Sequence, residues 1–361
     1  MSKTAPGDFL YVTTLRRVMR SYAGHPLFVR FLYFALRNGL PLVRRIKPLF
    51  GSTALISLTY RCQCSCRHCG AGLFKKDGER ELSTEEVFGL LRDLRAAGGS
   101  GAHFFGGEPL LAPDIVALVA EGSRLGLKIT IETNGLLVDD ALAGALARAG
   151  VESVRISLDS PDEASHDKFR GVPGAWQKAV SALRACHAAG TRTLINYYAS
   201  RESLNSGEFD RMADLAVDLG AGLRVLPPVR AGLWKNREDI PLTKEETDLL
   251  RSRLRRGVAC WGYEFLDRPG APFRCHTLLH STFDVSAYGD ILPCPYLSRS
   301  FGNIRKEPLA AAVKRMWDAD FFAPEAGFDG CPLNAPSFQA RYSADINREG
   351  PKSSAIGGFG K

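Results

Sequence analysis

The 361-residue chain has no stretch of about eighteen uncharged apolar residues, so no membrane-crossing helix is expected. Its N-terminus lacks a cationic run followed by an apolar core and a small-residue cleavage site, so export is not expected. No internal repeat is visible beyond an alternation of strand and helix signals. Disorder and a small disulfide scaffold are both excluded, because 45% of this long chain is hydrophobic and only 24% charged. One or two well-filled domains remain. Nine cysteines in such a chain are read first as metal ligands or reactive thiols, before disulfides.

Acidic residues are scarce at the front. Residues 1–50 hold nine basic side chains and one acid, Asp8, whereas the other 311 residues hold 38 basic and 38 acidic residues. The net charge of +8 therefore belongs to one segment, and no nucleic-acid footprint is expected over the whole chain. Within that segment Pro26–Asn38 is an apolar run carrying Arg30 and Arg37, flanked by Arg16, Arg17, Arg20, Arg44, Arg45 and Lys47. Residues 16–47 are read either as an interfacial helix touching anionic lipid or as a helical lid on the body of the protein.

After Gly51 strands and helices alternate. Strands are expected at Ala54–Thr59, His103–Phe105, Lys128–Thr133, Ser153–Leu158, Thr193–Tyr198 and Leu223–Leu226. Helices are expected between them, one opened by the capping pair Ser83 and Glu86. Six βα units with short loops imply an α/β fold, a parallel sheet closed partly into a (β/α)6 TIM-like barrel, with functional groups at the carboxyl ends of its strands. Beyond Trp234 come a charged helix near Lys244–Arg256 and a hairpin-like run, FDVSAYGDILPC, turning at Gly289-Asp290. The expected divisions are a basic extension (1–50), the barrel (51–235), a small C-terminal hairpin and helix domain (236–335) and a polar tail (336–361).

Cys62, Cys64, Cys66 and Cys69 fall within eight residues, directly after the first strand. A structural zinc draws ligand pairs from separate places and would need His68 or a distant cysteine. An iron–sulfur cluster accepts three or four thiolates from one loop. Gly106-Gly107-Glu108-Pro109 follows the second strand, Thr133-Asn134-Gly135 the third, and Ser157-Leu158-Asp159 ends the fourth; Asn196 lies in the fifth. Taken singly, the glycine pair, the Asn-Gly step and the Ser/Asp pair also suit ordinary turns and helix caps.

The spacing Cys62-x3-Cys66-x2-Cys69, with His68 at the aromatic position, resembles the radical S-adenosylmethionine (radical SAM) superfamily. The later groups resemble its GGEP motif and the motifs that follow, and HDKFRG (His166–Gly171) resembles its usual continuation. The resemblance implies a [4Fe–4S] cluster on Cys62, Cys66 and Cys69, with one iron left for the amino and carboxylate groups of SAM. It implies reductive cleavage of SAM to a 5′-deoxyadenosyl radical that abstracts a substrate hydrogen. Gly106, Gly107, Glu108, Pro109, Thr133, Asn134, Ser157, Asp159 and Asn196 are then SAM-binding candidates, with Glu108 accepting from the methionine ammonium. Cys64 is read as a spectator and Cys186 as core.

Cys275 and Cys294 around Gly289, followed by Cys331, resemble the opening of the auxiliary-cluster extensions called SPASM and Twitch. The dense cysteine run of a full SPASM domain is absent, which implies one auxiliary [4Fe–4S] cluster, of the Twitch type. Its fourth ligand is open among Cys260, Asn334, substrate and none. The expectation is an enzyme that oxidises or rearranges a small natural product, cofactor precursor or lipid-like molecule. Alternatives are a peptide-modifying maturase and a non-catalytic iron–sulfur carrier. A flavodoxin- or ferredoxin-type electron donor and a cytoplasmic location, peripheral to the membrane if residues 16–47 bind lipid, complete the expectation.

Overall fold

The computed structural model describes residues 48–255, 257–261, 275–319, 328 and 330–346. The basic segment through residue 47, with its interfacial or lid helix, and the end of the tail from 347 lie outside the described residues.

The six expected units are present in order: β1 (Thr53–Thr59), α1 (Thr84–Ala96), β2 (Gly101–Gly106), α2 (Ile115–Arg124), β3 (Lys128–Thr133), α3 (Asp140–Arg148) and β4 (Ser153–Ser157). They continue through α4 (Glu163–Arg170), α5 (Ala175–Ala188), β5 (Thr193–Tyr198), α6 (Arg201–Asn205), α7 (Glu208–Asp218) and β6 (Gly222–Leu226). Then follow α8 (Lys244–Arg253), β7 (Ala259–Trp261), the hairpin strands β8 (Thr282–Val285) and β9 (Ile291–Leu292), α9 (Leu309–Asp318) and α10 (Pro336–Tyr342). One nine-stranded sheet runs β7-β6-β5-β4-β3-β2-β1-β8-β9, every pair parallel except β8 with β9.

The sheet has two unlike faces, as the two-residue period of a strand requires. Ala54, Ile56, Ala102, Phe104, Ile129, Ile131, Val154, Ile156, Ile195, Leu223, Val225, Phe283 and Val285 join the helices in one apolar core. The alternate positions carry Ser57, His103, Thr130, Glu132, Arg155, Asn196, Arg224 and Asp284. Helices therefore cover the apolar face, and the inner face of the partial barrel is polar. The capping box at Ser83 forms as expected: its hydroxyl accepts from the Glu86 N–H at 3.3 Å, and the Glu86 carboxylate accepts from the Ser83 N–H at 2.8 Å.

The C-terminal hairpin is not a layer apart. β8 pairs with β1 from Thr53↔Thr282 to Ile56↔Val285, so it extends the barrel sheet beyond its first strand. Residues 336–346, read as the start of a tail, instead form α10 and a bridge between Ile346 and Leu297. Phe338 of α10 is fully buried in a second small core with Val229, Leu297 and Leu333.

Candidate active site

Cys62, Cys64, Cys66 and Cys69 occupy the loop after β1, and two backbone seams hold it. On one side the Gly107 and Glu108 N–H groups donate to the Thr59 and Arg61 carbonyls at 2.7 and 2.8 Å. On the other, Ser65 and Arg67 donate to the Arg170 and Phe169 carbonyls at the end of α4, at 3.0 and 3.1 Å. A Cβ on Gly107 would lie 2.2 Å from the Arg61 oxygen, and one on Gly171 2.2 Å from the Ser65 hydroxyl. Glycine is needed at both places so that the chain can approach the cysteine loop.

Each sulfur of the triplet meets an N–H donor. Cys62 accepts from the Cys64 backbone at 3.4 Å and from Asn134 Nδ2 at 3.7 Å; Cys66 accepts from Arg170 Nη1 at 3.5 Å; Cys69 accepts from the Ala71 backbone at 3.4 Å. Such donors suit anionic sulfur, and the donor set fits a cluster bound by three thiolates. The Cys64 thiol donates toward its neighbours and brings Cys62 down to about 7. The same donation, with Arg170 adding its charge, brings Cys66 down to about 6. Burial raises Cys69. Among the described residues no three His, Cys, Asp or Glu side chains stand close enough to hold a single metal ion.

Glu108 is 1% exposed and is occupied from within the chain. Its carboxylate accepts from Thr133 Oγ1 at 2.7 Å, from the Asn134 N–H at 2.8 Å and from the Leu110 N–H at 3.1 Å. It thus ties the end of β3 to the GGEP turn, while Pro109 starts the short 3-10 turn that Glu108 caps. An incoming ammonium would have to share this carboxylate, which burial pushes up. Asn134, anchored by that bond, turns its amide to Cys62 and to Gln63 Oε1 at 3.2 Å.

Asp159 accepts from Arg170 Nε at 2.6 Å, and His166 Nδ1 accepts the Asp159 N–H at 3.1 Å. Asp159, Arg170 and Cys66 therefore form one chain of contacts. Ser157 pairs in register with Asn196, but the Asn196 amide is engaged below the strand ends. It donates to Glu132 at 3.4 Å and accepts from Arg224 at 3.1 Å. Around Glu132 stand Arg155 at 3.0 Å, Arg224 at 3.6 Å and His103 at 3.5 Å. Burial pushes the Glu132 carboxyl up, yet Arg224, His103 and Arg155 outweigh it and hold it well below the usual carboxylate range. Arg170 and this inner-face cluster were not singled out from sequence. The signal was present, in HDKFRG and in charged residues inside the strands KITIET and SVRISL.

Cys294 and Cys331 pack against the second core, and Cys275 lies near enough to both to be felt electrostatically. Burial raises all three thiols; Cys294 also feels Cys331 and Cys275, and Cys331 feels Cys275. All three are free thiols. The two expected fourth ligands are placed otherwise. Asn334 accepts from the Arg230 N–H at 2.9 Å and donates to the Pro228 carbonyl at 3.0 Å. Cys260 lies in β7, opposite Arg224 of β6, at the sheet edge away from the hairpin. Cys186 is core, as expected. Between the two cysteine sets Tyr198 and Tyr296 share a hydrogen bond of 3.1 Å, and the His68 ring stands 4.6 Å from that of Tyr198. A small pocket lies there, lined by His68, Tyr198, Val229, Ala231, Trp234 and Tyr296.

Residues 56–215 match the Radical SAM superfamily. The chain is 34% identical over 269 residues to a PqqA peptide cyclase of Streptomyces rochei, covering 69% of this chain and 71% of that protein. A PqqA peptide cyclase of Gluconobacter oxydans (strain 621H) is 33% identical over 196 residues, and there the chain spans only about half, 54%, of the relative's length. An AdoMet-dependent heme synthase of Methanosarcina barkeri (strain Fusaro / DSM 804) is 26% identical over 286 residues, covering 72% of this chain and 80% of that one. Streptococcus suis SuiB bound to its precursor peptide SuiA shares the fold, with a TM-score of 0.57 and 17% identity over 80% of this chain and 67% of that one. On its cysteine loop, its strand-end motifs and these likenesses, the chain belongs to the radical SAM superfamily of enzymes and carries a C-terminal domain of the SPASM/Twitch type.

Proposed function

We propose that the protein binds a [4Fe–4S] cluster on Cys62, Cys66 and Cys69 and a second on Cys275, Cys294 and Cys331, and oxidises a small carboxylate-bearing molecule. The observation that carries the first site is the N–H donor aimed at each sulfur of the triplet. When bound, cluster and SAM supply a 5′-deoxyadenosyl radical that takes a hydrogen atom from the substrate. The chain's own part is positioning. Glu108 fixes the Thr133–Asn134 turn, Asn134 and Arg170 face the sulfurs, and the aromatic group of His68, Phe169 and Trp234 packs the loop from behind.

The inner face supports an anionic substrate, since it brings Arg155 and Arg224 together beside Glu132. A second reading, a peptide substrate, is favoured by the match to the PqqA peptide cyclases. A reduced flavodoxin- or ferredoxin-type protein would supply the electron under either reading.

Anaerobic reconstitution followed by iron counting and a 5′-deoxyadenosine assay tests the proposal. About eight irons per chain are expected, with SAM cleavage lost and about four irons kept in a Cys62→Ala/Cys66→Ala/Cys69→Ala variant. Absence of SAM cleavage by an iron-replete, reduced protein would leave only the carrier reading. Turnover of a synthetic precursor peptide, with no turnover of small carboxylic acids, would decide for the peptide.

A further inference from the structure

We propose that Glu81, which lies outside the motifs described above, is a positioning residue for SAM binding: its carboxylate holds the start of the cysteine loop against the GGEP turn. This rests on the first-cluster reading above. The ladder of β1 with β2 is irregular between Ser57 and Thr59 and ends where Thr59 pairs with Gly106. The Tyr60 N–H therefore leaves the strand with no ladder partner, and the Glu81 carboxylate accepts it at 2.9 Å. The same oxygen accepts from Thr59 Oγ1 at 2.9 Å, and Thr59 Oγ1 in turn accepts from the Arg61 N–H at 3.1 Å. One carboxylate thus fixes the three residues that directly precede Cys62.

Those three residues carry the SAM side of the site. The Arg61 carbonyl accepts from the Glu108 N–H at 2.8 Å, and the Glu108 carboxylate accepts from the Asn134 N–H at 2.8 Å. Asn134 returns to Cys62 through its amide at 3.7 Å. A chain of contacts therefore runs from Glu81 to Glu108, the acceptor expected for the methionine ammonium, and on to the first cysteine. Glu81 is itself placed from the other side. The Leu82 N–H donates to the Ala287 carbonyl at 2.7 Å, and Arg305 Nη2 donates to the Glu81 carbonyl at 3.2 Å. Its backbone is tied to the hairpin segment and its side chain to the cysteine loop, so the residue sets one against the other. Charge-assisted bonds of this kind are the strong ones, and removing the acceptor leaves the Tyr60 N–H and the Thr59 hydroxyl to find another.

The test uses the full chain after anaerobic reconstitution. The dithionite-reduced protein is titrated with SAM and frozen before cleavage, and the SAM concentration that gives half of the EPR change is read at equal iron content. Glu81→Ala should raise that concentration about tenfold, the worth of one charge-assisted hydrogen bond. Glu81→Gln keeps an oxygen at the site without its charge and should fall between the parent and the alanine variant; it also serves where the alanine variant fails to fold. Thr243→Ala is the control for loss of stability alone. It removes the cap of α8, whose hydroxyl accepts from the Glu246 N–H at 3.2 Å, and should lower the urea midpoint while leaving the SAM titration at the parent's value. A Glu81→Gln protein with the parent's half-saturation and EPR line shape overturns the assignment. An equal shift in Glu81→Gln and Thr243→Ala also overturns it, because general loosening would then explain both. A parent protein that binds no iron, or binds it and shows no EPR response to SAM, refutes the first-cluster reading itself, and the assignment with it.

Discussion

Replacing Arg170 by methionine keeps most of the side-chain stem but removes a guanidinium that touches both Asp159 and Cys66. Asp159 would then be buried with no cation beside it, and its Oδ1 already lacks a partner. Removing one partner of a buried pair costs about 3–5 kcal/mol. Burial already pushes the Asp159 carboxyl up, and Arg170 is what opposes that push, so in the variant Asp159 takes up a proton. An acid whose folded pKa rises above its unfolded value, about 3.9, is stabilising at low pH and loses that contribution as pH rises. The loss runs at about 1.4 kcal/mol per pH unit between the two pKa values. The assay is urea unfolding of cluster-free, thiol-reduced protein, followed by circular dichroism at several pH values. Arg170→Met should fall further below the parent as pH rises above the unfolded value of about 3.9. Asp159→Leu/Arg170→Met, which removes both charges, should recover most of the difference. A single-variant cost under about 1 kcal/mol, or one that does not change with pH, would refute the buried-pair reasoning.

Three further outcomes are expected. Gly107→Ala forces a methyl to within 2.2 Å of the Arg61 carbonyl oxygen, a backbone atom that cannot rotate away, so it should cost about 1–3 kcal/mol in urea midpoint and lower the iron retained by the loop. Cys64→Ala should keep about eight irons per chain, whereas Cys66→Ala should lose about half, as counted by chelation after anaerobic desalting. Glu132→Gln leaves Arg155 and Arg224 facing a neutral amide, so unfolding midpoints at neutral pH should drop. The folded Glu132 pKa lies below its unfolded value of about 4.3, so its stabilisation is full above that pH and fades as pH falls below it. The variant should therefore show a shallower acid limb; identical acid limbs in parent and variant would contradict this.

The βα array could be read from sequence because each unit carries its own local signals. KITIET alternates, Ser83 and Glu86 form a capping box, and Asp139 caps α3 by accepting from the Leu142 N–H at 2.8 Å. α4 escaped for a physical reason. EASHDKFR has no apolar stripe, and its buried residues are His166 and Arg170, held by hydrogen bonds rather than by the hydrophobic effect. The three residues of β7 and the proline-led α10 were too short to show periodicity. The cysteine triplet was legible because its ligands are local. The Glu132 cluster was not, because its members come from four strands and meet only through register. Asn334 failed as a ligand candidate for a similar reason: what its amide touches is fixed by a contact across 104 residues.

The two cysteine sets are tied together through one sheet. The loop of Cys62, Cys66 and Cys69 leaves the carboxyl end of β1, and β8 hydrogen-bonds to β1 with Leu55 opposite Asp284. Cys294 follows β9, the next strand over. The separation of the Cys62 loop from the hairpin that leads to Cys294 is thus set by backbone ladders, which are far stiffer than the contact of two domains across a linker. The Tyr198–Tyr296 bond adds a side-chain tie at the other side of the cavity, between the ends of β5 and the hairpin segment. A chain that needed only to carry iron would gain nothing from holding two thiol sets at a fixed spacing. One that passes an electron between a reacting centre and a second site needs that spacing to stay constant through the reaction. The hairpin's place in the barrel sheet therefore supports the oxidative reading on grounds independent of the cysteine motifs.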